Sequence, residues 1–149
     1  MRHKIPVSTL VVIHTRDLDV LLLERADRPG YWQSVTGSQD EGETLIQTAI
    51  REVSEETGLD ANKHDLADWN TRNVYEIFPI WRHRYPPGVT HNTEHVFGLT
   101  VPRDANIRIA PGEHLGFVWL PHEEAAAKCF SWTNRDAILA LPTRLTGDL

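Results

Sequence analysis

Along residues 44–57 the apolar side chains Ile46, Ala49, Ile50 and Val53 recur at i, i+3, i+4 and i+7, the spacing that lays one stripe along an α-helix. The pattern predicts a helix from Thr44 to Thr57. Thr44, followed three residues later by Gln47, makes a capping box at its start, and Gly58 is placed for a left-handed C-cap. At about 100° per residue, Glu52, Glu55 and Glu56 share an arc of roughly 100° beside the apolar stripe. That sets them where a sheet edge meets solvent.

Elsewhere the period shortens. Residues 6–13 (PVSTLVVI) and 20–23 are aliphatic or β-branched runs separated by the polar turn 14–19, so they read as a hairpin or as adjacent strands. A loop at Asp27-Arg28-Pro29-Gly30 precedes a short strand over 32–36. Residues 60–70 are polar and read as a loop with a turn, followed by a strand over 74–81. The Pro- and Gly-rich connection RHRYPPGVT, residues 82–90, is the densest basic patch of the chain. Further strands are expected over 95–101 and 116–120, joined by a connection with a short strand at 107–109. Helices over 122–128 and 134–141 end the pattern, with Thr133 or Asn134 as the N-cap of the second. This order predicts an α/β fold, a mixed sheet with helices on both faces.

Composition narrows the class. A chain of 149 residues suits one domain over 1–149, large enough for a core without covalent staples. The single cysteine, Cys129, excludes an internal disulfide framework and points to a reducing cytoplasm. No apolar run reaches the length of a membrane span, and residues 1–6 lack the apolar centre of a secretory signal. A net charge of −6 argues against general nucleic-acid binding through a basic surface. Nothing in the pattern specifies an oligomeric state.

The clustered glutamates carry the candidate chemistry. Close carboxylates repel one another and, near a helix C-terminus, oppose the macrodipole, so they are either fully solvated or offset by a cation. Hard oxygen ligands spaced this way suit Mg²⁺, or Mn²⁺, which also bridge to substrate phosphates. Lys4 and Arg25 fall at strand ends, where they either meet those phosphates or remain surface cations. The basic connection at 82–90 is likewise either a phosphate clamp or a solvated loop.

Residues 37–59, GSQDEGETLIQTAIREVSEETGL, fill every defined position of the pattern G-x5-E-x7-R-E-U-x-E-E-x-G-U, with U aliphatic. The chain therefore resembles the Nudix hydrolases. The resemblance implies the Nudix α/β/α sandwich and metal-dependent hydrolysis of a pyrophosphate linkage in a small molecule. It also implies that Arg51 and Glu43 orient the site, that Glu52 and Glu56 bind Mg²⁺, and that Glu55 adds a ligand or accepts the proton of the attacking water. Glu113, before the strand at 116–120, would supply a third carboxylate from outside the helix; taken alone it reads as an exposed loop residue.

Where many Nudix chains have Pro-Gly-Gly, this one has Ser34-Val35-Thr36-Gly37-Ser38. WQSVTGS, EIF, RHRYPPGVT with the following Asn92-Thr93-Glu94, and SWTNR resemble the dihydroneopterin triphosphate branch of the family, which serves folate biosynthesis. That likeness implies hydrolysis of 7,8-dihydroneopterin triphosphate to the monophosphate and pyrophosphate. Tyr75 and Phe78 would border the flat pterin, against the alternative of core packing, and Asn134 would face the ring, against that of a helix cap. Thr36 would hydrogen-bond the ligand, or serve as an ordinary strand residue. Two rivals stand: a broad nucleoside triphosphate hydrolase acting on dATP and its relatives, and a non-catalytic Nudix ligand-sensing module. The intact signature speaks against the second.

Overall fold

The structure is a computed structural model that describes residues 3–146; Met1 and Arg2, part of the stretch read as lacking a signal, lie outside the described residues, as do residues 147–149. Its strands are β1 (Val7–His14), β2 (Asp19–Arg25), β3 (Trp32–Gln33), β4 (Val35–Ser38), β5 (Asp65–Glu76), β6 (His91–Thr100) and β7 (His114–Pro121). Its helices are α1 (Leu45–Thr57), α2 (His122–Lys128), α3 (Trp132–Leu139) and α4 (Leu141–Thr146). The strands form one sheet in the order β3-β2-β1-β6-β5, with β4 also pairing β1 and β7 pairing β2. β1 and β6 run parallel from Val7 opposite Thr93 to His14 opposite Thr100, and the other pairings are antiparallel, so the sheet is mixed.

β1 is apolar in consecutive positions because both faces of the sheet are covered. Val11 and Ile13 join Val35, Phe97 and the α1 residues Ala49 and Val53 in one core cluster. Leu10 and Val12, alternating with them, join Val96, Ala125, Ala137 and Ile138 in a second cluster under α2 and α3. The expected sandwich is present.

Several element boundaries differ from the pattern. Ile46 is half exposed, and the buried side of α1 runs through Ala49, Glu52, Val53 and Glu56. Close packing on β4 has turned two glutamates inward, so of the three only Glu55 lies at the solvent border. The strand at 32–36 is broken at Ser34, whose backbone N–H donates to Asn134 Oδ1 at 2.8 Å instead of to a neighbouring strand. The loop expected over 60–70 ends early: β5 begins at Asp65, an edge strand mostly open to solvent and therefore polar, with a register shift between Asp68 and Thr71. β5 stops at Glu76 rather than continuing to 81, because Pro79, which has no N–H for a ladder, opens a 3-10 turn, Pro79–Arg84. β6 starts at His91, ahead of the expected 95, on polar residues that face a cavity. Ile107 and Ile109 pack on the core as loop residues with no strand between them. α3 is capped by Ser131, whose hydroxyl accepts from the Asn134 N–H, so neither Thr133 nor Asn134 is the cap.

Candidate active site

The signature helix is held at both ends before any charge is placed. Gln47 N–H donates to the Thr44 hydroxyl at 3.2 Å, Thr44 N–H donates to the Gln47 side chain at 2.9 Å, and Gly58 closes the helix at φ 76°. Glu52 and Glu56, one turn apart, then face β4 and are 9% and 3% exposed. The approach is close enough that a Cβ on Gly37 would lie 2.0 Å from Glu52 Cδ. Glycine is required there by space, not by turn geometry.

Arg51 ties the carboxylates together. Its Nε and Nη2 donate to the two Glu43 oxygens at 2.6 and 3.0 Å, Nη2 also donates to the Ser38 carbonyl at 2.9 Å, and Nη1 donates to Glu52 Oε1. Glu43 accepts further bonds from the Asp40 N–H at 2.8 Å and the Thr48 hydroxyl at 2.9 Å. The Arg51 guanidinium holds the Glu43 carboxyl down at about 2. Glu43 thus stands behind Arg51 and does not line the cleft.

Burial raises the pKa of Glu52 and, far more, that of Glu56, which its hydrogen-bonded contact with Glu52 raises further. Two buried carboxyls in contact retain a proton unless a cation replaces it. Glu56 Oε1 has no hydrogen-bond partner. The nearest imidazole, His114 Nε2, is 3.6 Å away, and burial lowers the pKa of that ring. Among the described residues no three His, Cys, Asp or Glu side chains are gathered into a ready cage, in keeping with Glu52 being drawn aside by Arg51. The donor set, carboxylates with one orphaned buried oxygen, nevertheless fits a hard divalent cation.

A cleft of about 550 Å³ is lined by Arg51, Glu52, Glu55 and Glu56 on the helix side, by Glu113 before β7, and by Lys4, Arg25 and Arg84 across from them. Glu113 is exposed at the rim, and its charge raises the pKa of Glu56. Arg25 donates to both Asp27 oxygens at 2.7 Å, and Arg84 reaches the same carboxylate at 3.1 Å. Two guanidinium groups share one counter-ion, leaving positive charge on that wall. Lys4 adds to it: although exposed by area, its ammonium is poorly hydrated in the cleft, and this, then Arg84, lowers its pKa. Of the basic connection only Arg84 reaches the cleft; Arg82 is paired with Glu76 at 2.7 Å.

From the cleft opens a second cavity of about 190 Å³, sharing the wall residues Lys4, Arg25, Thr36 and Arg84. Tyr75, Phe78 and Asn134 line it, so the structure brings these residues beside the carboxylates, with Thr36 at the join. Phe78 stacks on Trp81 at 5.4 Å and 5°, and both meet Phe130 edge-on at 5.9 and 6.0 Å. Arg25 lies over the Trp81 ring at 4.4 Å. Trp81 and Phe130 escaped the sequence reading, and Asn92 and Glu94 entered it only through their likeness to the branch, with no role in the pocket. The further signal for the last two was a pair of polar residues alternating at the start of a strand.

The NUDIX domain pattern matches residues 4–141 of the chain. The chain is 50% identical to the dihydroneopterin triphosphate diphosphatase of Escherichia coli K12 over 139 residues, 91% of each. It is 41% identical to the Haemophilus influenzae protein of the same name over 141 residues, 93% of this chain and 88% of that one. The solved structure of the E. coli dihydroneopterin triphosphate pyrophosphohydrolase superposes with a TM-score of 0.86 at 49% identity, over 93% of this chain and 95% of that one.

Proposed function

The chain belongs to the NUDIX family and is a hydrolase of pyrophosphate bonds; from that premise we propose that its substrate is 7,8-dihydroneopterin triphosphate, cleaved to the monophosphate and pyrophosphate with Mg²⁺. Hydrolases of this family generally use a divalent metal. The observation that carries the reading is the continuity of the two cavities, a charged cleft sized for phosphates opening into an aromatic-walled pocket sized for a flat ring. The half identity to the E. coli diphosphatase supports the choice of ring.

In this reading Glu52, Glu56 and Glu113 hold the cation, and Arg51, fixed by Glu43, keeps Glu52 in place as a positioning residue. Held there, a divalent metal would supply a lowered pKa for the attacking water and neutralisation of charge on the leaving pyrophosphate. Glu55, exposed at the cleft, is a further ligand or accepts the water's proton. Lys4, Arg25 and Arg84 meet the phosphate oxygens, Thr36 hydrogen-bonds at the join, and Tyr75 and Phe78 border the ring.

Side-by-side kcat/KM values on dihydroneopterin triphosphate, dGTP and dATP, at saturating Mg²⁺, test the assignment. The pterin should lead by roughly tenfold or more. A value for dATP equal to that for the pterin would sink it.

A further inference from the structure

The inner pocket has a floor as well as walls. β6 sets Asn92 and Glu94 two residues apart and so on one side of the sheet. The parallel register places Ser8 of β1 beside Glu94. Asn92 is 1% exposed and Glu94 2%, and both line the cavity. Asn92 spends its Nδ2 on the Ser8 hydroxyl at 2.7 Å and the Tyr75 hydroxyl at 3.1 Å, so its orientation is fixed with Oδ1 left over. Asn92 Oδ1 and Glu94 Oε1 are both without a partner.

A carboxyl buried beside a strand with an unpaired oxygen is costly, and a core position would be served better by an apolar side chain. The two orphaned atoms on this floor are both acceptors. They complement a ligand edge that offers adjacent donors. Flat nitrogen rings differ on this point: a 2-amino-4-oxo ring, as in a pterin or guanine, presents a ring N–H next to an amino group. Adenine instead presents one amino group flanked by acceptor nitrogens. Asn134 is less free to read an edge, because its Oδ1 accepts from Ser34 N–H at 2.8 Å and its Nδ2 donates to Ser131 Oγ at 2.7 Å.

We propose that Glu94, with Asn92 Oδ1 two residues away on the same face of β6, is the specificity-determining acceptor for the adjacent N–H and amino donors of a 2-amino-4-oxo ring, and that Asn134 positions the pocket wall. The assignment rests on the inner cavity being the ring site of the proposed function. Charge-assisted bonds to paired donors are strong and directional, and a ring lacking one of them leaves the carboxylate unpaired.

The test compares dGTP with dITP, which differ only in the 2-amino group, and with dATP, on the parent and on Glu94→Gln, alongside dihydroneopterin triphosphate. The parent should favour dGTP over dITP in kcat/KM by roughly tenfold or more, carried mainly in KM. In Glu94→Gln that ratio should shrink toward one while the Mg²⁺ dependence stays at the parent's value, which a merely structural effect would not do. Equal parent values for dGTP and dITP, or an unchanged ratio in the variant, overturn the proposal. The parent comparison needs no variant to fold. A parent that prefers dGTP to the pterin would remove the proposed substrate and leave the role of Glu94 standing.

Discussion

The charged cleft and the inner pocket are built by opposite means. In the cleft, α1 and the segment leading into it supply most of the chemistry, and most pairings are short in sequence, Arg51 with Glu43, Glu52 and Glu55, and Arg25 with Asp27; Arg84 reaches Asp27 from 57 residues away, and Glu56 Oε1 is left for a cation. In the pocket, side chains from β1, β5, β6, the 3-10 turn and α3 converge, and their polar atoms are in part left unpaired. Paired charges fix the shape of the cleft wall, whereas unpaired acceptors on the pocket floor are left for a ligand with matching donors. On the proposed function, the phosphate end would supply rate and the ring end choice.

The sharpest way to break this division is Glu56→Gln. An isosteric amide removes charge from the cation site, so kcat should fall roughly a thousandfold on pterin and nucleotide alike, with the melting temperature held. Activity within a fewfold of the parent, measured at saturating Mg²⁺, would take Glu56 out of the site.

At the ring end, the cost of the unpaired floor can be read as stability. Burial lifts the Glu94 carboxyl from 4.5 to about 7. The native state therefore binds more protons than the unfolded chain between those values, and stability falls as pH rises through that window. Glu94→Gln lacks this penalty. Relative to the parent, it should gain up to about 3 kcal/mol between pH 4.5 and pH 8, read by denaturant titration at the two pH values. A pH-independent difference between the two proteins contradicts the buried-carboxyl account.

Asn134→Ala tests the wall. Leaving the buried Ser34 N–H unpaired should cost about 1–3 kcal/mol of stability. Pterin turnover should fall more than that of dATP, whose ring fits poorly and depends less on the pocket. A lower melting temperature with a constant substrate ratio would confine Asn134 to the framework. The smallest expected effect is at the rim of the cleft. Glu113→Ala should raise the Mg²⁺ concentration for half-maximal rate by about tenfold, whichever triphosphate is used; an unchanged Mg²⁺ titration removes Glu113 from the ligand set.

The two regions also differ in how far they can be read from the chain. The limits of α1, its capping box, its Gly58 cap and the spacing of Glu43, Arg51, Glu52, Glu55 and Glu56 are local. They depend on a helical period and on contacts a few residues apart, which the order of residues determines by itself. The unbroken apolar runs of β1 and β2 likewise mark strands buried on both faces. Tertiary packing decided the rest. Glu52 and Glu56 became buried, and Ile46 exposed, only when the helix settled on β4 at Gly37. The first half of β5, residues 65–70, read as a loop because an edge strand lacks the apolar alternation that burial imposes. The strand break at Ser34 depends on Asn134, 100 residues away, and the orientation of Asn92 depends on Ser8, 84 residues away. No periodicity links such positions; a hydrogen bond between them exists only after the sheet has brought their strands together.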